Sequence, residues 1–128
     1  MGIVYISQRV DINNVNGERR DALDQRWIKL IHSDGHIVIP TPNDVMHLYD
    51  LLKAKCPDYI VLSGGNTSKK YGGDAPERDE IDKALIQYSI DKKIPLLGVC
   101  KGMQSINLFF GGTLKQVDNH VAVRHSIL

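Results

Sequence analysis

The sequence predicts an α/β fold built on a mostly parallel sheet. Short apolar runs typical of strands alternate with longer segments of helical periodicity along the whole chain. The 128 residues suffice for one domain that buries a core of its own. No internal repeat, low-complexity tract or interdomain linker is visible, so we expect a single domain.

The first half of the chain predicts two strands and two helices. Gly2–Ser7 and His36–Pro40 are short apolar runs and are predicted as strands. Arg20–Asp34 is predicted as the helix between them, because apolar residues recur there at helical spacing: Leu23, Trp27, Leu30 and Ile31. Asn43 or Asp44 would cap the next helix, whose apolar face includes Val45, Leu48, Tyr49 and Leu52.

The second half predicts two more strands and two more helices. Pro95–Val99 is expected to be buried on both faces of the sheet, because its residues do not alternate between apolar and polar. The predicted elements in chain order are a strand at Asp58–Ser63, a polar loop at Asn66–Pro76, a helix at Asp79–Lys92, the strand at Pro95–Val99, a helix at Lys101–Phe110, and short strands and turns over Thr113–Leu128.

Charge and composition argue against several classes of partner. The formal net charge is only +1 and no long basic run occurs, so we expect no binding to nucleic acid or to an anionic membrane. No apolar stretch approaches the roughly 20 residues that span a bilayer, and the N-terminus lacks the basic start of a signal peptide. The two cysteines, Cys56 and Cys100, form no disulfide framework, and free thiols fit a cytoplasmic location. We also expect no metal or other cofactor.

The clearest chemical signal is the run Gly98-Val99-Cys100-Lys101-Gly102. It joins a predicted strand to a predicted helix, which is the arrangement of a nucleophile elbow. Such a turn strains the backbone of its central residue, and a glycine on either side lets the chain pass close to itself. The Cys100 sulfur would then project at the positive end of the helix, which favours a thiolate nucleophile. The alternative is a buried structural cysteine, but the two glycines, the strand and the helix together favour the elbow.

Attack on an amide carbonyl creates a negatively charged oxygen that needs hydrogen-bond donors. One donor is expected to be the backbone N–H of Lys101, the residue after the nucleophile. The other is expected from Gly64-Gly65, at the end of the neighbouring strand, with Gly65 as the donor. A plain tight turn is the alternative interpretation of these two glycines.

The segment from Gly98 to His125, GVCKGMQSINLFFGGTLKQVDNHVAVRH, resembles the class I glutamine amidotransferase-like proteins. It is most similar to the branch of γ-glutamyl hydrolases of the peptidase C26 type, and Glu77–Asp79 matches that branch too. Within the branch, Ile6–Asp11 and Glu18–Trp27 most resemble the γ-glutamyl-CDP-amidate hydrolases of capsule phosphoramidate synthesis. The resemblance runs from Ile3 to the last residue. It implies a three-layer α/β/α, flavodoxin-like fold with a mostly parallel central sheet, and an oxyanion hole at the glycine-rich loop.

Four further residues are candidates for substrate binding. The resemblance implies that Gln104, one helical turn beyond the nucleophile, contacts a bound γ-glutamyl group, and that the backbone around Ser126 holds its α-carboxylate. Gly64 is expected to line the same site. Arg9 follows the first strand at the carboxyl edge of the sheet, where it would pair with a substrate anion. An exposed helix glutamine, an edge-strand serine and a surface salt bridge are the alternatives for Gln104, Ser126 and Arg9.

The resemblance also implies a Cys-His-Glu triad, whose histidine and glutamate lie near a His-x-Pro or Glu-His-Pro element. None of the five histidines matches that element: His32, His36, His47, His120 and His125. His120 and His125 are the local candidates. We therefore expect residues 1–128 to be the N-terminal part of a larger domain, so that the fold formed by this chain is incomplete at its C-terminal end. The complement would be another segment of the same domain or a homodimer mate.

These observations predict a hydrolase of small γ-glutamyl amides that works through a thioester on Cys100. An ammonia-donating glutaminase subunit and a catalytically incomplete binding or assembly module are the alternatives. Because the base is unassigned, we expect the chain alone to be acylated poorly or not at all, and not to turn over.

Overall fold

A computed structural model of the protein describes residues 1–115. Four parallel strands, β1 (Ile3–Ile6), β4 (Ile37–Pro40), β5 (Tyr59–Leu62) and β6 (Leu96–Gly98), form a sheet in the order β4-β1-β5-β6. Two antiparallel strands, β2 (Arg9–Ile12) and β3 (Arg19–Ala22), form a separate ribbon. The helices are α1 (Gln25–Ser33), α2 (Val45–Ala54), α3 (Pro76–Lys92) and α4 (Lys101–Phe109), with a 3₁₀ turn at Lys69–Tyr71. The predicted α/β class with its mostly parallel sheet is confirmed.

The parallel register brings the carboxyl ends of the four strands to one edge of the sheet. Ile6 pairs with Pro40 and Val61, and Leu62 pairs with Gly98. Just beyond these pairs, the buried Ser63 donates its backbone N–H to the Ser7 hydroxyl at 3.0 Å and its own hydroxyl to the Ser7 carbonyl at 2.6 Å. The ends of β1 and β5 are thereby locked together at the edge where ligands bind in such sheets.

Helices cover both faces of the sheet, which gives the three expected layers. Helices α2, α3 and α4 pack on one face around a core that includes Tyr5, Leu62 and Leu85. Helix α1 packs on the other face, where Trp27 and Ile31 contact a smaller apolar cluster. Apolar burial of this kind contributes about 25 cal/mol per Å².

The expectation that the last strand is buried on both faces is wrong. Leu97, at its centre, is 58% exposed. β6 is the edge strand of the described sheet. Helix α1 packs over β1 and β4, at the opposite edge of the sheet, and so does not cover Leu97. A continuous apolar run therefore does not distinguish an edge strand with one open face from a central strand.

The predicted helix Arg20–Asp34 is also partly wrong, because its first turn is a strand. Residues 14–16 form a turn that the Gly17 N–H closes by donating to the Asn13 carbonyl at 2.8 Å, with Gly17 at φ +72°, and β3 then pairs with β2. Arg19 of β3 donates two hydrogen bonds to Glu77 of α3, at 2.7 and 2.8 Å, which hold the pKa of that carboxyl below its usual range. Helix α1 begins only after Asp24, whose side chain accepts from the Arg26 backbone N–H as its N-cap.

Two smaller points complete the fold. Helix α3 begins at Pro76, three residues before the predicted start, because proline fits the first position of a helix. The prediction for Thr113–Leu128 and the candidates His120, His125 and Ser126 fall wholly or largely outside the described residues. Within residues 1–115, no helix is both long enough and apolar enough to cross a membrane.

Candidate active site

Cys100 occupies a strained turn between β6 and α4. Its backbone has φ 52° and ψ −108°, a conformation that non-glycine residues rarely adopt and that costs about 1–3 kcal/mol. The thiol is free and the residue is exposed at the first turn of α4. The sequence thus places a strained, accessible cysteine at the carboxyl edge of the sheet.

The glycines on either side of Cys100 are required by close contact between backbones. A Cβ atom at Gly102 would lie 2.2 Å from the carbonyl oxygen of Leu62 in β5. A Cβ atom at Gly98 would lie 2.7 Å from the carbonyl carbon of Gly102. Both distances are far below van der Waals contact, so the turn can form only with glycine at both positions.

The strain at Cys100 predicts that glycine there stabilises the fold. Cys100→Gly should be about 1 kcal/mol more stable than Cys100→Ala, because glycine adopts a positive φ without strain. The greater entropy of glycine in the unfolded state offsets only part of that gain. Alanine is the matched control, since it also lacks the sulfur but keeps the Cβ. Urea unfolding of both variants measures the difference, and a less stable glycine variant would contradict the strain.

The end of β5 lies directly beside the cysteine. A Cβ atom at Gly64 would be 3.5 Å from the Cβ of Cys100, and Gly65 follows with φ +98°. Val99 donates its N–H to the Leu62 carbonyl at 2.9 Å, which keeps the two strand ends together. Lys101 opens α4, where backbone N–H groups have no partner within the helix. The structure therefore brings together Gly64, Gly65, Cys100 and Lys101.

Arg9 is the first residue of β2, and its side chain lies over the glycine loop formed by Gly64 and Gly65. A Cβ atom at Gly65 would be 2.8 Å from the Arg9 Cβ, so the arginine crosses the loop in close contact. The Asn66 side chain bonds the N–H and carbonyl of Val10 at 2.8 and 2.9 Å, which fastens β2 there. The guanidinium is half exposed and pairs with Asp11 at 2.6 Å. Arg9 is thus at the rim of the site, and it also forms the surface salt bridge considered as its alternative.

Gln104 lies one turn beyond Cys100 on α4. Its backbone N–H donates to the Cys100 carbonyl at 3.0 Å, and its side chain is half-buried. His36, in contrast, accepts a hydrogen bond from the Gly2 N–H at 3.1 Å, near the opposite end of the sheet. The structure therefore does not bring His36 to the cysteine.

Sequence reasoning missed a group of five polar side chains beneath the site, four of them buried and Asp79 partly exposed. Arg78 donates from Nε to Asp82 Oδ1 at 2.9 Å, and Ser105 donates to Asp82 Oδ2 at 2.6 Å. Lys101 donates from Nζ to Ser105 Oγ at 2.8 Å and to Asp79 Oδ1 at 2.7 Å. We call Arg78, Asp79, Asp82, Lys101 and Ser105 the buried polar network. Its signal is the spacing of Arg78 and Asp82, which fall on the same helical face as Ile81, Leu85 and Ile86.

Comparison with known proteins agrees with this architecture. The sequence profile of the family Peptidase C26 matches residues 1–126. A γ-glutamyl-CDP-amidate hydrolase of Campylobacter jejuni is 31% identical over 97% of this chain and 62% of its own length. A γ-glutamyl-γ-aminobutyrate hydrolase of Escherichia coli O157:H7 is 29% identical over 80% of this chain and 44% of its own length.

A shorter match links the chain to enzymes that use glutamine. A glutamine-hydrolyzing GMP synthase of Nitratiruptor is 42% identical over 54% of this chain and 12% of its own length. The chain spans less than two thirds of the length of each of these three relatives. Because the family profile covers almost the whole chain, the protein belongs to the peptidase C26 family of glutamine amidotransferase-like proteins.

Proposed function

We propose that the chain carries the nucleophile of a hydrolase of γ-glutamyl amides. The Cys100 thiolate attacks the γ-carbonyl carbon, the C–N bond breaks, and the amine leaves with the proton that the thiol gave up, as a γ-glutamyl thioester forms. Water then hydrolyses the thioester, which releases glutamate and restores the thiol. The backbone N–H groups of Gly65 and Lys101 stabilise the oxyanion. The observation that carries the proposal is the exposed Cys100 at positive φ beside Gly64-Gly65.

Labelling with a chloroketone analogue of glutamine tests this role. At about pH 9, where an ordinary thiol is largely ionised, the reaction needs no general base and releases chloride. We expect Cys100 to react at least about tenfold faster than Cys56, because only Cys100 lies beside oxyanion donors. Mass spectrometry of the labelled peptides gives both rates.

Three controls sharpen the labelling experiment. Cys100→Ala should lose the fast reaction, and Cys56→Ser should keep it. A chloroketone without the amino and carboxylate groups of glutamine should lose most of the preference for Cys100. Equal labelling of the two cysteines would contradict the nucleophile and would favour a binding or assembly module.

The release of glutamate tests the expectation that the chain is catalytically incomplete. An amide substrate needs a group that takes the thiol proton as a base and then gives it to the departing amine as an acid, and no histidine in the sequence matches the implied triad element. We therefore expect labelling without sustained turnover from the 128-residue chain. Robust turnover that Cys100→Ala abolishes would show that the chain already contains its base.

We propose a γ-glutamyl amide with an anionic leaving group, such as a nucleotide amidate, as the substrate. Two observations support it: the similarity to the γ-glutamyl-CDP-amidate hydrolase, and the half-exposed Arg9 at the rim of the site. The alternative is glutamine itself, in an ammonia-donating glutaminase. The match to the glutamine-hydrolyzing GMP synthase favours that alternative.

Protection from the chloroketone separates the two substrates. We expect a γ-glutamyl nucleotide amidate to protect Cys100 at lower concentration than glutamine does. Arg9→Gln should weaken protection by the nucleotide amidate about fivefold, roughly 1 kcal/mol for a partly exposed ion pair, and leave protection by glutamine unchanged. Stronger protection by glutamine would favour the glutaminase.

A further inference from the structure

The fully buried guanidinium of Arg78 contacts the ends of two strands from below the active site. The side chain is 0% exposed. Nη1 donates to the carbonyls of Gln8 at 3.1 Å and Gly64 at 3.3 Å, and Nη2 donates to the carbonyl of Ser63. Nε is held by Asp82 of the same helix. Arg78 of α3 is thus joined to the residues that follow β1 and β5.

The bond to the Gly64 carbonyl has a direct consequence for Gly65. The Gly64 carbonyl and the Gly65 N–H belong to one peptide unit, which is planar and trans, so the two groups point in opposite directions. A donor that binds the carbonyl from below therefore directs the N–H upward, away from α3. We propose that Arg78 is a positioning residue that aims the Gly65 N–H at the oxyanion; this inference rests on the proposed function.

The same network anchors the second donor. Lys101, whose backbone N–H is the other proposed donor, has a side chain only 3% exposed. Its Nζ reaches Asp79 and Ser105, and Ser105 is bonded to Asp82, the partner of Arg78. Residues of α3 therefore hold both halves of the oxyanion hole, one through Arg78 and the other through Lys101.

The ion pair between Arg78 and Asp82 is not by itself evidence of a stabilising role, because apolar residues of similar volume often replace a buried pair without loss of stability. Arg78, however, also binds three backbone carbonyls. These bonds supply direction, since guanidinium donors have a fixed fork geometry. Arg78 is buried beneath the loop, so it acts on the reaction through Gly65.

Nuclear magnetic resonance tests the positioning directly. In Arg78→Lys, which keeps the charge and loses the fork, we expect the backbone order parameter of Gly65 to fall from the rigid range near 0.85 to below about 0.6. The double variant Arg78→Met with Asp82→Leu removes both charges together and serves if Arg78→Lys does not fold. A Gly65 amide as rigid as that of the wild type in either folded variant would overturn the inference.

Two cysteine reagents test the consequence for chemistry, in a Cys56→Ser background. The glutamine-like chloroketone passes through an oxyanion, whereas iodoacetamide alkylates the thiolate by displacement and forms none. For Arg78→Lys we expect the chloroketone rate to fall by about tenfold or more, with the iodoacetamide rate within about twofold of the wild type. General loosening of the fold would also make the thiol more accessible and raise the iodoacetamide rate, so an iodoacetamide rate close to that of the wild type separates a loss of oxyanion stabilisation from loosening.

Arg19→Lys is the matched control, because Arg19 also binds α3 but lies on the surface. In this variant the ratio of the chloroketone rate to the iodoacetamide rate should equal that of the wild type. An unchanged ratio in Arg78→Lys would overturn the catalytic consequence. If the wild type itself shows no preference for the glutamine-like chloroketone, the proposed function fails. The order parameter of Gly65 still decides whether Arg78 positions the peptide.

Discussion

Gly102→Ala is expected to destabilise the folded chain by about 3 kcal/mol or more. Two effects of opposite sign compete at this position. Alanine improves helix propensity in α4 by about 1 kcal/mol. The added Cβ, however, would sit 2.2 Å from the Leu62 carbonyl oxygen. That oxygen also accepts the N–H of Val99, so it cannot withdraw without the loss of a bond between β5 and the residue that follows β6.

Urea unfolding of the variant measures this cost. Gly111→Ala is the matched control, because Gly111 lies just after the same helix at φ +84° with open space around its Cβ position. We expect the control to cost about 1–2 kcal/mol from its backbone conformation alone. Equal stability losses in the two variants would contradict steric overlap as the reason for glycine at position 102.

The elbow could be predicted from the sequence because its chemistry is local. The strained turn needs small residues at fixed positions around Cys100, and Gly98 and Gly102 stand at those positions. The parallel sheet followed for the same reason, since short apolar runs alternate with helical segments. Proximity between Gly64 and Cys100 follows once the strands that precede them are adjacent and parallel.

The errors arose where tertiary contacts override a local pattern. The apolar spacing begins at Leu23, just after β3, and the predicted helix was wrong where it reached back to Arg20. Asn16-Gly17 signals the hairpin that makes Arg19–Ala22 a strand. The exposure of Leu97 depends on which neighbours cover the strand, and periodicity carries no such information.

The buried polar network could be predicted from the sequence in part. Helical spacing places Arg78 and Asp82 on the apolar face of α3, which marks them as buried. Their partners, however, are backbone carbonyls at positions 8, 63 and 64 and side chains of α4. Only the packing of α3 against the strand ends and α4 brings these groups together, so the sequence reveals the burial but not the contacts.

The second large effect is expected at Asp82, the carboxylate at the centre of this network. Asp82→Ala should destabilise the fold by about 3–5 kcal/mol, which is typical when one partner of a buried pair is removed. Asp82 is 1% exposed and faces two cations, Arg78 Nε at 2.9 Å and Lys101 Nζ at 3.7 Å. Without it, Arg78 has no carboxylate partner among residues 1–115, and Lys101 keeps Asp79, which is 26% exposed.

Chemical unfolding of Asp82→Ala and Asp91→Ala gives the measurement and its control. Asp91 lies on the same helix but is exposed, where it accepts a bond from Gln87, so its loss should change stability by less than about 0.5 kcal/mol. Asp82→Asn separates charge from shape, because it keeps an acceptor for Arg78 but removes the charge. Its loss of stability should lie between those of Asp82→Ala and Asp91→Ala. A loss below about 1 kcal/mol in Asp82→Ala would contradict the assignment of a buried, charge-balanced network.

The double variant with Arg78→Met and Asp82→Leu decides whether the cost lies in the missing charge or in the missing contacts. The comparison is with the single variants Arg78→Met and Asp82→Leu. If unpaired charge dominates, the double variant should lose less stability than the sum of these two losses, with a coupling of about 1–3 kcal/mol. Arg78 also binds three backbone carbonyls, so the double variant should still be less stable than the wild type, by about 1–3 kcal/mol for the acceptors left without a partner. Full recovery of stability would mean that these carbonyls do not depend on Arg78. The proposed control of the Gly64–Gly65 peptide would then lose its physical basis.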